Sequence, residues 1–191
     1  MIELVFNDPV EEVQGEGKVF CGVDLGISGA IAFLSDDGSL LVYDMPTITV
    51  SSGRRSKKTG KMGKKRILDF ARIKSLLVDN DPIYAMVEQV PVSLGREGAT
   101  SLATLHKNSG IILGMLFGIG IPTEESLPSS WQKLFFKSKG KDTKQLSYDT
   151  ACKLFPSTCD VFVGPKGGIK DGRSDAALLA TLARRKYYGH E

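Results

Sequence analysis

The stretch from Val19 to Leu34, VFCGVDLGISGAIAFL, constrains the fold of this chain more than any other. An apolar run (Val19, Phe20, Cys21, Val23) breaks at a single acid, Asp24. The turn Gly26-Ile27-Ser28-Gly29 follows, and a second apolar run fills Ala30 to Leu34. Short apolar runs bounded by glycines read as strands joined by a tight connection. An ionised Asp in a core strand is costly unless something pairs with it. A metal ion is the usual partner for a carboxylate so placed. On this stretch alone, an Asp that merely caps the turn stays open.

The following residues extend the pattern. Ser35-Asp36-Asp37-Gly38 between apolar runs is a hairpin signal, and a third strand from Leu40 to Met45 completes an antiparallel meander. Ile67, Phe70, Ile73 and Leu77 fall at helical spacing, and that helix must stop before Asn80-Asp81-Pro82. Tyr84 to Val90 reads as a fourth strand, and a strand–helix–strand unit favours parallel pairing. A long apolar helix is predicted over about 100–117, then a short strand around Ile121. A brief helix should carry Trp131, Leu134 and Phe135. Asp142 or Thr143 can cap another helix that stops at Pro156. The glycine-rich stretch Val161 to Gly172 reads as a mobile loop, and a last helix covers about 173–186. The 191 residues suit one domain, 19–191, preceded by an extension, 1–18, that holds a short strand at Ile2 to Phe6.

Charge is unevenly spread. The segment from Gly53 to Arg66, GRRSKKTGKMGKKR, holds eight of the 25 basic residues and none of the 22 acidic ones. One basic segment on an otherwise acidic protein points to a polyanion contact through a mobile loop. Arg54, Arg55, Lys57, Lys58, Lys61, Lys64, Lys65 and Arg66 are its candidate polyanion contacts, with Lys133 and Lys141 further along. No apolar run reaches the length of a membrane span, so no membrane partner is expected. The acidic N-terminus is unlike a signal or targeting peptide, which favours the cytoplasm and leaves an organelle open. Cys21, Cys152 and Cys159 lack zinc-like spacing and read as three reduced thiols.

Four acids stand where solubility does not require them. Asp24 interrupts the first strand and Glu88 the fourth, while Asp171 and Asp175 flank the start of the last helix. Four residues on a helix bring side chains to one face. A fourth strand beside the first would set Asp24 and Glu88 at neighbouring strand ends, facing the other two. Gathered carboxylates repel one another unless cations neutralise them. Two divalent ions would do so, and all-oxygen ligands select Mg²⁺ or Mn²⁺.

With these residues in view, CGVDLGISGAIAFL, YAMVEQV and DGRSDAALLATLARR resemble the three motif blocks of RuvC-like Holliday-junction resolvases, nearest to phage-type and organellar members. SLPSSWQKLF and KDTKQLSYDTACKLFP lie between the second and third blocks. The resemblance spans about residues 19–186. It implies an α/β, RNase H-like fold, with a five-stranded mixed sheet flanked by helices. It implies that Asp24, Glu88, Asp171 and Asp175 bind two Mg²⁺ ions per active site, with Mn²⁺ able to substitute. It implies paired nicks in opposed strands of a four-way DNA junction. Lys144 matches a lysine near that family's active site, where it would position the scissile phosphate. The helix over about 100–117, with Gly110 and Gly114, matches the family's homodimer helix.

Two departures stand out. The third-block acids are four apart where bacterial members have them three apart. The segment Pro91 to Gly98, PVSLGREG, lacks the aromatic wedge that bacterial members place there. Competing functions are another RNase H-like nuclease acting on branched or flap DNA or on hybrids, an actin-like ATPase sharing only the first block, and a junction-binding protein without catalysis.

Overall fold

The computed structural model describes residues 17–55, 58–92, 98–136 and 142–189. Its elements in chain order are β1 (Val19–Asp24), β2 (Ala30–Ser35), β3 (Leu40–Asp44), β4 (Thr47–Arg55), β5 (Met62–Leu68), α1 (Phe70–Asn80), β6 (Tyr84–Glu88), α2 (Ala99–Gly118), β7 (Thr123–Ser126), α3 (Pro128–Phe135), α4 (Thr143–Leu154), a short 3-10 helix (Pro156–Phe162) and α5 (Asp171–Tyr187). One sheet has five strands in the order β3-β2-β1-β6-β7, and β4 pairs only with β5. The meander is antiparallel, and β6 returns parallel to β1 as the strand–helix–strand pattern predicts. Val23 pairs with Val87, so the next residues along, Asp24 and Glu88, end adjacent strands.

Alternation in β1 divides the core into two layers. Cys21 and Val23 point to one face and pack with Ile73 and Leu77 of α1 and Ile112 and Leu116 of α2. Phe20 points to the other face, where Trp131, Leu178, Leu179 and Leu182 cover it. Gly22 lies on that second face under α5. A Cβ placed on Gly22 would stand 2.1 Å from the Ala176 carbonyl oxygen and 2.2 Å from the Ala180 nitrogen. Only glycine admits the helix backbone this close. The alanines of α5 (Ala176, Ala177, Ala180 and Ala183) are fully buried and continue the close approach. Asp44 anchors the start of the helix, accepting from Arg173 Nε at 2.6 Å and Nη2 at 3.0 Å.

The structure corrects several sequence expectations. The basic segment is the β4–β5 hairpin rather than a loop. Thr47, Ile48, Thr49 and Val50 supply the β-branched residues that strands favour, and charge counting hid them. Ile67 belongs to β5, because Asp69 caps α1 by accepting from the Arg72 nitrogen at 3.1 Å. The strand expected at Ile121 lies at Thr123–Ser126. The glycine-rich stretch is a closed turn, with Val163 bridged to Ile169 and the Gly164 nitrogen donating to the Gly168 carbonyl at 2.8 Å. The last helix starts earlier than expected, at Asp171. Cys152 and Cys159 form a disulfide and only Cys21 is a free thiol. Spacing in sequence does not reveal that the bend after α4 brings their Cα atoms to 4.7 Å. Residues 1–16 of the extension, Lys57, most of the Pro91–Gly98 segment and Lys141 lie outside the described residues. Among the described residues, no helix is long and apolar enough to cross a membrane.

Candidate active site

Three elements deliver the four predicted carboxylates. Asp24 is the last residue of β1, Glu88 the last of β6, and Asp171 and Asp175 occupy the first turns of α5. Because α5 is helical from Asp171, the pair share one face. Close packing sets their distance from the strands. A Cβ on Gly172 would stand 2.8 Å from Asp24 Oδ2 and 2.6 Å from the Ser28 carbonyl oxygen. The turn after β1 needs glycine as well: Gly26 has φ of 136°, and a Cβ on Gly29 would stand 2.2 Å from the Asp24 carbonyl oxygen.

The carboxyls interact strongly. Burial raises the Asp24 pKa well above the ordinary carboxylate value, and the charges of Glu88, Asp175 and Asp171 raise it further. Asp24 and Glu88 share a hydrogen bond that lifts the proton affinity of Asp24 and lowers that of Glu88. Burial still leaves Glu88 above its usual value, against that bond and a hydrogen bond from Trp131. Asp175 is pushed up to about 7, by burial first, with a hydrogen bond from Ser147 opposing and the charges of Glu88 and Asp171 adding to it. Its Oδ1 is buried without a hydrogen-bond partner.

One cation enters this group. Lys144, near the start of α4, donates to Asp171 Oδ2 at 2.8 Å and stays two-thirds exposed. Ser147 stands three residues on, and residues so spaced share a helix face. Trp131 is fully buried, and its indole Nε1 donates to Glu88 Oε1 at 3.2 Å. The sequence placed Trp131 on a brief helix, favouring a core anchor over a base-stacking role, and gave Ser147 no role. Their signals were the SSWQKLF block and the i, i+3 spacing of Lys144 and Ser147.

Among the described residues, no three His, Cys, Asp or Glu side chains already form a metal-holding group. The donor set nonetheless fits a hard divalent ion. It is all oxygen, it carries mutual repulsion that a cation relieves, and it includes the unpartnered Asp175 Oδ1.

Asp24 and Asp171 line a cleft of about 690 Å³, and Glu88 and Asp175 lie behind its lining. Asp24, Asp171, Gly172 and Lys144 form its floor, and Thr100, Ser101, Thr104 and Asn108 of α2 form a polar wall. Arg66 lines the adjoining cavity beside Asp171. The structure does not bring every basic candidate here. Arg54, Arg55, Lys58, Lys61, Lys64 and Lys65 are exposed on the hairpin, and Lys133 is exposed on α3, lining neither cavity.

No protein-family model matches the sequence, and no curated protein sequence matches it either. Solved structures do resemble it. Thermus thermophilus RuvC in complex with a Holliday junction substrate aligns with a TM-score of 0.52 at 14% identity, over 91% of this chain and 95% of that one. A second structure of Thermus thermophilus RuvC aligns with a TM-score of 0.51 at 16% identity, over 90% of this chain and 97% of that one. The yeast mitochondrial Holliday junction resolvase Ydc2 aligns at 0.45 and 15% identity, over 88% and 80%. The mixed five-stranded sheet flanked by helices is thus the RuvC fold, of RNase H-like type.

Proposed function

We propose that this chain is a divalent-metal-dependent endonuclease that resolves four-way DNA junctions by paired nicks, working as a homodimer. The observation that carries the proposal is the meeting of Asp24, Glu88, Asp171, Asp175 and Lys144 at the end of β1. The fold that holds them is shared with a protein solved on a Holliday junction substrate.

Asp24, Glu88, Asp171 and Asp175 would hold two Mg²⁺ ions, or Mn²⁺ in their place. When bound, these ions supply neutralising charge, a water of lowered pKa and a Lewis acid at the scissile phosphodiester. The chain's own residues prepare that site. Trp131 and Ser147 fix the orientation of Glu88 and Asp175 by donating to them. Lys144 is exposed enough to donate to a non-bridging phosphate oxygen while it remains beside Asp171. The tight Gly26–Gly29 turn and the polar wall of α2 leave room for a sugar–phosphate backbone. The exposed hairpin lysines and arginines supply the phosphate contacts that govern affinity.

Dimerisation would use the outer face of α2. A Cβ at Gly110 or Gly114 would have no atom within 4 Å, and Phe117 is 62% exposed beside them. A two-fold axis would then present two active sites to two symmetric strands of one junction.

The test is digestion of a panel with millimolar Mg²⁺: four-way junction, flap, linear duplex and RNA–DNA hybrid. Wild-type protein should cut the junction in two opposed strands, and Asp24→Asn should lose activity on the order of 10³-fold or more while still binding. Undiminished cutting by Asp24→Asn removes this site. Preference for flap or hybrid changes the substrate, and binding without cutting leaves a junction-binding protein.

A further inference from the structure

The basic segment is a two-strand ladder, so its side chains divide between two faces. Thr47 pairs with Leu68, Thr49 with Arg66 and Ser51 with Lys64. Directly opposed residues, and residues two apart along a strand, share a face. One face therefore carries Thr49, Ser51, Lys64 and Arg66, and the other carries Ile48, Val50, Lys65 and Ile67. Beyond Ser51 the register shifts, and the remaining basic residues do not inherit this assignment.

The Thr49–Arg66 face borders a cavity of about 400 Å³ that Ser28, Gly29, Lys170 and Asp171 also line. The catalytic cleft is lined by the same Ile27, Ser28, Gly29 and Asp171, so the two spaces adjoin around the catalytic turn. Asp44 also borders the cavity, but Arg173 already holds both its oxygens, at 2.6 and 3.0 Å. Lys170 pairs with Asp44 at 3.7 Å, and its side chain is 44% exposed. Arg66 and Lys170 thus line one space together with Thr47 and Thr49 of the hairpin root. A guanidinium, an ammonium and neutral hydroxyls form a site for a phosphate diester.

We infer that Arg66, with Lys170, seats a backbone phosphate adjacent to the scissile one on the strand being cut. One face of the hairpin then sets where that strand lies over the carboxylates, and the total charge of the hairpin does not. This inference rests on the nuclease function proposed above. Arg66 acts through the position of the strand, so it is a positioning residue and not a catalytic one.

Lys65 provides the comparison, being adjacent in sequence, equal in charge and on the opposite face. Single-turnover cleavage at saturating protein should fall about 10- to 100-fold in Arg66→Ala, the scale of a small misplacement of substrate. Arg66→Lys should recover part of that loss. Lys65→Ala should weaken binding by the few-fold of one exposed charge and lower the saturated rate much less than Arg66→Ala does. A scan of single methylphosphonate substitutions along the cut strand should find one neutralised linkage beside the cut that slows wild-type protein. That linkage should have no further effect on Arg66→Ala. Equal behaviour of the Arg66 and Lys65 variants, or a scan without such a linkage, overturns the inference and leaves the nuclease intact. If Arg66→Ala melts early, the scan on wild-type protein decides alone. A wild-type protein that binds junctions without cutting them ends the nuclease proposal, and the scan is then read on Kd. One that binds no DNA ends both.

Discussion

The proposed nuclease would need a place to break a bond and a surface to hold a polyanion, and this chain builds its two candidate regions by opposite means. The carboxylate floor is set by close packing of buried elements, with α5 lying nearly backbone to backbone on β1 at Gly22. The hairpin forms a sheet of its own, buried at Leu68 and exposed along nearly all its basic residues. A floor residue therefore acts by where it is, and a hairpin residue mainly by the charge it carries. Substitutions on the floor should change rates at constant affinity, and those on the hairpin should do the reverse. Arg66, where the two regions meet, is the exception.

The largest effect is expected where packing leaves no freedom. Gly22→Val drives side-chain atoms into the Ala176 and Ala180 backbone, which cannot move aside as a flexible side chain would. A loss of about 3 kcal/mol or more is expected from such overpacking, measured by chemical denaturation, with cleavage abolished. Gly172→Ala is the sharper case. Its added methyl meets the Ser28 carbonyl and the Asp24 carboxylate, so cleavage should fall by about 10²-fold with a smaller stability loss than Gly22→Val. A Gly172→Ala protein that cuts normally would show that the floor tolerates displacement, and the contrast with the hairpin would fail.

Trp131 comes next. Trp131→Phe keeps most of the buried aromatic volume and removes the N–H that holds Glu88. Loss of a group that orients a metal ligand costs about 10- to 100-fold in activity or metal affinity. The expected signature is a raised Mg²⁺ requirement with junction affinity unchanged. An unchanged Mg²⁺ dependence would reduce Trp131 to a packing residue.

How much of this was legible in the sequence differs between the two regions for a physical reason. The floor was readable because a lone acid in an apolar strand violates a strong rule, and Asp24 and Glu88 each do so. Asp171 and Asp175 followed from helical spacing. The supporting donors were not readable as such, because Trp131 and Ser147 obey ordinary rules for a core aromatic and a helical serine. Their roles appear only when α3 and α4 are folded against β6 and α5. The hairpin was misread for the opposite reason. Its charges dominate its composition, while the β-branched run at Thr47–Val50 and the pairing of Thr49 with Arg66 are what set its shape. The Cys152–Cys159 disulfide was hidden because it depends on a chain bend and not on spacing.

A pH titration separates the regions without any DNA. The raised pKa values of Asp24, Glu88 and Asp175 mean that the folded chain holds protons which the unfolded chain has released. For Asp175, stability is intact below the unfolded carboxylate value of about 4 and is lost as pH rises to its folded value of about 7. In EDTA, the melting temperature should therefore fall between pH 5 and pH 8. Asp175→Asn removes the charge and should raise Tm at pH 8 by on the order of 3–6 °C, while added Mg²⁺ should help wild type more than the variant. Hairpin substitutions should leave this profile unmoved. A Tm that rises with pH in EDTA would mean that the carboxylates are already compensated, and the case for a metal there would weaken.

The smallest effects belong to the exposed hairpin lysines. Lys58, Lys61 and Lys65 lie away from the carboxylate floor, and neither cavity reaches them. Each phosphate contact contributes about 0.9 to the slope of log affinity against log salt on duplex DNA. Neutralising one of them with alanine should reduce that slope by at most about one unit and weaken binding at moderate salt by a few-fold, with the single-turnover rate lowered much less than in Arg66→Ala. Substituting all three should lower the slope additively, because exposed charges spaced along an extended ladder hardly couple. Competition at several salt concentrations measures this directly. If one lysine instead abolishes binding, the hairpin is a shaped site throughout, and its difference from the floor is one of degree only.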